Sequence, residues 1–203
     1  MIKKEQIIIG LTGGIATGKS TVSNYLAEKY LIPVLDADLI AREAVTINSP
    51  IFQKIVNRYG KNILLDQGNL NREKLGNIIF NNYQEKNWLE NQIHPFVRDS
   101  LLSQMKKLSN PIILLSIPLL FEAKMTNLVT QIWVVNCNFA TQLSRLQNRN
   151  NLTQAEAISR IKSQMPLAEK IKLADVILHN NQNLTDLYNQ IDIIIISRFY
   201  QYF

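Results

Sequence analysis

Five short apolar runs punctuate the chain: Ile7 to Leu11, Ile32 to Leu35, Ile112 to Ile117, Gln131 to Val135 and Val176 to Leu178. Each is brief, largely β-branched and free of polar alternation, the pattern of strands buried on both faces. Segments with helical spacing lie between them. In Lys19 to Tyr30, for example, Val22, Tyr25 and Leu26 fall on one face at i, i+3 and i+4, so this helix should pack on the sheet. Strands alternating with helices predict an α/β fold with a parallel β-sheet wound by right-handed crossovers.

One interval breaks the alternation. About 70 residues separate the second and third runs, far more than an ordinary βα connection, and their pattern is helical. Helices are predicted over about 39–45, 50–59, 72–80 and 85–107, the last carrying Pro95, which should bend or break it. The core would then be 1–37 and 110–203, with a helical insert at about 38–109. Farther on, Thr153-Gln154-Ala155-Glu156 has the form of a capping box and predicts a helix to about Gln164, ended by Pro166. Arg145 and Arg149, four apart, share a helical face just before it. Together these suggest a helix–loop–helix lid over about 145–166. The closing stretch from Leu184 to Tyr202 reads as a helix on the sheet, although Ile193 to Ile196 fits a strand equally well.

Composition narrows the partners. The 203 residues are 46% hydrophobic and 19% charged, enough for a well-packed core and unlike a disordered chain. The longest apolar runs fall well short of the roughly 20 residues that a membrane span needs, and the N-terminal run from Ile7 to Ile9 is too short for a secretory signal. A cytoplasmic protein is expected. Cys137 is the only cysteine, so no intrachain disulfide or cysteine-based zinc site is possible. Twenty-two Lys and Arg against sixteen Asp and Glu give +6, which suits nucleic acid, a membrane surface or a polyphosphate ligand.

The chemistry points to the last. Gly13-Gly14-Ile15-Ala16-Thr17-Gly18-Lys19-Ser20 fits GxxxxGK[ST] between a predicted strand and a predicted helix, the context in which the pattern means a phosphate loop. Backbone N–H groups from Gly14 to Thr21 would surround the phosphates of ATP at the positive end of the helix. Lys19 would neutralise charge between β- and γ-phosphates, and the Ser20 hydroxyl would ligate Mg²⁺. A glycine-rich turn that only starts a helix is the bland alternative. Many nucleotide hydrolases carry an acid at the end of a later strand, yet the third run closes on Ser116, Ile117 and Pro118, and the fourth is followed by Asn136. The carboxylates follow the second run instead, as Asp36-Ala37-Asp38. That strand is expected beside the loop's own, where a hydroxyl acceptor would meet a base, as a small-molecule kinase requires. Helix capping by Asp38 is the alternative and is compatible with catalysis.

Seven segments in order give the chain a family resemblance. GLTGGIATGKSTV (Gly10 to Val22), DADLIAR (Asp36 to Arg42), GNLNREKLGNIIF (Gly68 to Phe80), HPFVR (His94 to Arg98), PLLFE (Pro118 to Glu122), RLQNRNNLT (Arg145 to Thr153) and RIKSQMP (Arg160 to Pro166) resemble the dephospho-CoA kinases. The resemblance spans nearly all of the chain and implies one kinase domain over 1–203. Members use ATP to phosphorylate the ribose 3′-hydroxyl of dephospho-CoA, completing coenzyme A. It implies that Asp38 is the base, with Asp36 shaping the metal and charge environment, and that Thr12 touches the acceptor or the phosphates. Arg149 becomes the lid arginine. Arg42, Arg72 and Arg98 become candidates for the acceptor's pyrophosphate. His94 reads as a structural residue at a helix bend, with some expectation of acceptor binding. Leu119, with Leu120 and Phe121, forms an apolar wall for the acceptor or plain core; Glu122 orders a nearby arginine; Asn180 borders the adenine. Ala16 departs from the family, which usually carries glycine there, and little harm is expected unless that residue needs a positive φ.

A nucleoside monophosphate kinase shares this layout and is the rival within the same chemistry. A nucleotide-dependent switch or nucleic-acid-binding protein is the rival from another class, but NKxD, DxxG, helix-turn-helix and aromatic RNA-binding patterns are missing and no basic run exceeds two residues. The partners expected are therefore ATP and dephospho-CoA, without nucleic acid, membrane or an obligate protein partner.

Overall fold

The computed structural model describes residues 6–202, and the chain divides into two compact units, one of residues 1–36 with 105–203 and one of residues 37–104.

The first unit is built on a parallel sheet. Its strands are β1 (Ile7–Gly13), β2 (Val34–Asp36), β3 (Ile112–Ser116), β4 (Gln131–Asn136) and β5 (Val176–His179), in the order β2-β3-β1-β4-β5. The expected runs all become strands, within one or two residues at their ends. The neighbour relation differs: β2 pairs with β3, and β3 separates it from β1. Burial explains this order, since β1 and β3 are the most completely enclosed strands while all three residues of β2 are only half-buried, as an edge strand is.

Helix α1 (Lys19–Tyr30) covers one face with Val22 and Leu26, which are buried against Ile9, Leu11 and Leu114, while Tyr25 is only partly covered. The C-terminal segment settles as helix α9 (Leu184–Phe199), including Ile193 to Ile196, followed by a 3₁₀ turn. Leu187, Ile191, Ile195 and Phe199 recur at helical spacing and lie in the same core, a period no strand could satisfy. The remaining helices of this unit are α6 (Phe139–Asn150), α7 (Gln154–Lys162) and α8 (Leu167–Lys172). Thr153 and Glu156 form the expected capping box at the start of α7, which stops at Lys162, two residues short of Gln164. Helix α8 was not anticipated: six residues are too few to show a period.

The second unit is helical: α2 (Ala37–Glu43), α3 (Pro50–Tyr59), α4 (Arg72–Asn81) and α5 (Tyr83–Met105). Ser49 and Asn71 cap α3 and α4 through side-chain oxygens, and Ile51, Phe52, Ile55, Leu75 and Leu89 share its core. Helix α5 runs through Pro95, so of the bend or break expected there the break does not occur. The proline removes one helical N–H, but Leu89, Val97 and Leu101 remain buried along the same helix and keep it continuous.

Candidate active site

Strand β1 ends at Gly13 and α1 begins at Lys19, so Gly14 to Gly18 form the turn between them. The glycines are there for space. A Cβ on Gly13 would collide with the Val135 carbonyl and the Thr17 hydroxyl, and one on Gly18, at φ 101°, would collide with the Asn180 amide. Thr17 closes the turn from within, its hydroxyl donating to the Gly14 carbonyl at 2.9 Å. Ser20 lies exposed in the first turn of α1, next to the half-buried Thr21. Ala16 adopts φ 61°, the left-handed region, so the departure from glycine is not neutral. For a residue with a Cβ this conformation costs about 1–2 kcal/mol.

Lys19 points along the sheet's edge. Its Nζ donates to Ser116 Oγ at 2.5 Å, and Ser116 Oγ donates to Asp36 Oδ2 at 2.9 Å. Strand register creates this row: Leu11 of β1 pairs with Ser116 of β3, and Ser116 with Asp36 of β2. Although Asp36 is not on the strand next to the loop, the intervening serine relays its carboxylate to the loop lysine. Ser116, fully buried, is a member that sequence reasoning missed. It stood at the place where an acid was sought and was passed over.

Several residues expected at the ligands also hold the fold around the loop. Thr12 is fully buried and donates its hydroxyl proton to the Pro118 carbonyl at 3.0 Å, which ties β1 to the segment leaving β3. Asn180, only 3% exposed, donates to the Thr17 carbonyl and receives Arg145 on its own carbonyl, so it braces the loop from below. Arg145 is half-buried and tied to Asn180, while Arg149 is exposed at the end of α6 and donates to Asn150. Leu119 is half-buried and Leu120 fully so. Glu122 orders a lysine, not an arginine: Lys170 of α8, fully buried, reaches Glu122 at 2.9 Å and the Pro118 carbonyl at 3.0 Å. Lys170 carried no signal in the sequence, where it looks like any helix-surface lysine.

Two glutamines were likewise missed. Gln142 of α6 donates to the Ile15 carbonyl at 2.8 Å, and the Ile15 N–H donates to Gln164 Oε1 at 2.7 Å.

In the helical unit, Asp38 is exposed in the first turn of α2; it is the second helical residue and not a cap. Arg42 lies in the last turn of the same helix, and Arg72 donates to its carbonyl at 3.1 Å. His94 and Arg98 lie four apart on α5, and burial holds the His94 imidazole below its usual pKa. Among the described residues no cluster of three His, Cys, Asp or Glu is shaped to hold a metal, and no helix is long and apolar enough to cross a membrane.

The family model for dephospho-CoA kinase matches residues 7–186, from the first strand to the start of α9. The chain belongs to the dephospho-CoA kinase family. A dephospho-CoA kinase of Trichormus variabilis is 56% identical over 188 residues, covering 93% of this chain and 96% of that one. One from Synechocystis is 58% identical over 189 residues, covering 92% and 93%. The solved dephospho-CoA kinase from Campylobacter jejuni superposes with a TM-score of 0.71 at 31% identity, over 97% of this chain and 100% of that one. The fold is that of the P-loop kinases, and the dephospho-CoA kinase layout runs through both units of the chain.

Proposed function

We propose that this protein transfers the γ-phosphoryl group of ATP to the ribose 3′-hydroxyl of dephospho-CoA, releasing ADP and coenzyme A, in the cytoplasm. The observation that carries the reading is the Lys19–Ser116–Asp36 row at the mouth of the phosphate loop, in a chain of this family. Backbone N–H groups within Gly14 to Thr21, apart from those of Ile15 and Thr17, which donate to Gln164 and to the Gly14 carbonyl, bind the triphosphate, Lys19 counters charge on the transferring group, and Asn180 acts on ATP by holding the loop. Mg²⁺ prefers oxygen ligands and keeps much of its water, so the exposed Ser20 hydroxyl and the Asp36 carboxylate fit it without a dedicated cage. Bound there, it would offset charge on the phosphates.

Asp38 takes the proton of the 3′-hydroxyl as its oxygen attacks the γ-phosphorus and the bond to the β-γ bridging oxygen breaks. Its place in the first turn of α2 sets an acidic side chain at the positive end of the helix. Arg149, exposed on α6, is suited to the transferring phosphoryl group. Arg42, Arg72 and Arg98 meet the acceptor's pyrophosphate, His94 and Leu119 line its path, and Thr12 supports the acceptor side by fixing Pro118.

Purified protein with MgATP and dephospho-CoA, AMP, CMP or UMP in a coupled ADP-release assay tests the proposal. Turnover should be confined to dephospho-CoA. Faster phosphorylation of a nucleoside monophosphate would make the protein a nucleoside monophosphate kinase and defeat the reading.

A further inference from the structure

The left-handed Ala16 needs something to hold it, because a residue with a Cβ disfavours that conformation by about tenfold or more. The preceding residue is gripped on both sides. The Ile15 carbonyl accepts from Gln142 Nε2 at 2.8 Å, and the Ile15 N–H donates to Gln164 Oε1 at 2.7 Å. Little else is packed there: a cavity of about 470 Å³ lies against Gly14, bordered by both glutamines with Ile161, Met165 and Leu167. The two side chains come from different anchors. Gln142 is 4% exposed on α6. Gln164 lies between α7 and α8, and its neighbour Met165 is fixed by its own N–H donating to Glu122 Oε1 at 3.0 Å, the carboxylate that also pairs with buried Lys170.

We infer that Gln164 is a positioning residue for phosphoryl transfer: with Gln142 it clamps Ile15, keeps Ala16 left-handed and so presents the loop's N–H groups to the triphosphate. The Glu122–Lys170 pair secures the clamp by holding the residue next to it. A glycine at position 16 would adopt the conformation unaided, so the clamp matters most in a chain that carries alanine there. The inference rests on the proposed use of ATP, but not on the identity of the acceptor.

The test is a cycle of Gln164→Leu, Ala16→Gly and the double variant in the full chain. In nucleotide-free protein, amide exchange at Ile15 should quicken about tenfold in Gln164→Leu, because leucine offers no acceptor. MgATP affinity should fall about tenfold for Gln164→Leu in the native background and less than about threefold beside Ala16→Gly. The loss should appear in KM for ATP, with kcat within about threefold. Equal losses in both backgrounds, or unchanged exchange at Ile15, would overturn the inference. So would a lowered melting temperature with an unchanged KM for ATP, which marks a structural role alone. If the enzyme bound MgATP but phosphorylated a different acceptor, the functional proposal would fall and the affinity cycle would still decide the role of Gln164.

Discussion

Replacing Ser116 by alanine removes one oxygen and tests the relay between Lys19 and Asp36. That hydroxyl accepts from the Lys19 ammonium at 2.5 Å and donates to the Asp36 carboxylate at 2.9 Å, so both of its bonds involve charged groups. Such bonds are worth about 1.5–3 kcal/mol each in net terms. Lys19 and Asp36 are only half-buried, and water can replace part of what is lost. A net penalty near one such bond is therefore expected, and it should fall on the step in which Lys19 must sit on the transferring phosphoryl. That amounts to a drop of about 10- to 100-fold in kcat/KM for ATP. Stability should change by no more than about 1 kcal/mol, since alanine fills the same buried position without stranding either charge away from water. Steady-state kinetics at saturating acceptor, with thermal unfolding of the same preparation, separates the two effects. Lys19→Ala sets the scale, because it deletes the charge itself. A Ser116→Ala enzyme within twofold of native kcat/KM would refute the relay and show that Lys19 is oriented by other means.

Asp38→Asn should leave MgATP affinity nearly unchanged while lowering kcat by about 10² to 10⁴, and near-native turnover would move the base to Asp36. Lys170→Ala should cost about 2–4 kcal/mol in urea unfolding, because it empties a fully buried site and leaves Glu122 without its cationic partner; a loss below about 1 kcal/mol would argue against a structural anchor there. In the helical unit, hydrogen bonds from Arg58 and then Tyr59 lower the Glu85 carboxyl from 4.5 to about 2. A depressed carboxylate stabilises the fold above its unfolded pKa and loses that contribution as pH falls, so the stability of the native chain should decline between about pH 4.5 and 2 more steeply than that of Glu85→Gln. Parallel acid titrations of the two proteins would refute the assignment.

What was legible in the sequence was what chain order itself determines. The strands announced themselves as apolar runs, the loop as glycines between a strand and a helix, and the α7 capping box as Thr153 and Glu156 three apart. Asp36 and Asp38 were found because they follow a strand. What could not be read was lateral. Nothing local shows that β3 inserts between β1 and β2, so the acid was expected beside the loop when in fact Ser116 intervenes. Gln142, Gln164 and Lys170 act through partners between 48 and 149 residues away, and each is an ordinary polar residue in its own segment. Ala16 marks the limit most sharply: the substitution was visible, but its consequence depended on a backbone angle that only the folded loop supplies.

The same lateral arrangement brings a carboxylate to Ser116 although β3 itself ends without an acid. With β3 ending in serine, the charge that faces Lys19 arrives from the strand beyond it, and the chain passes from that carboxylate into α2 within two residues. One short stretch, Asp36-Ala37-Asp38, therefore serves both units of the protein: its first acid is fixed in the sheet by Ser116, and its second opens the helical unit, exposed in the first turn of α2. An acid on β3 would sit where it serves water activation at the phosphate loop. In the proposed mechanism, Asp36 at the exit of β2 would act on the donor's charge and Asp38 on the acceptor's proton, the division a kinase acting on a hydroxyl requires.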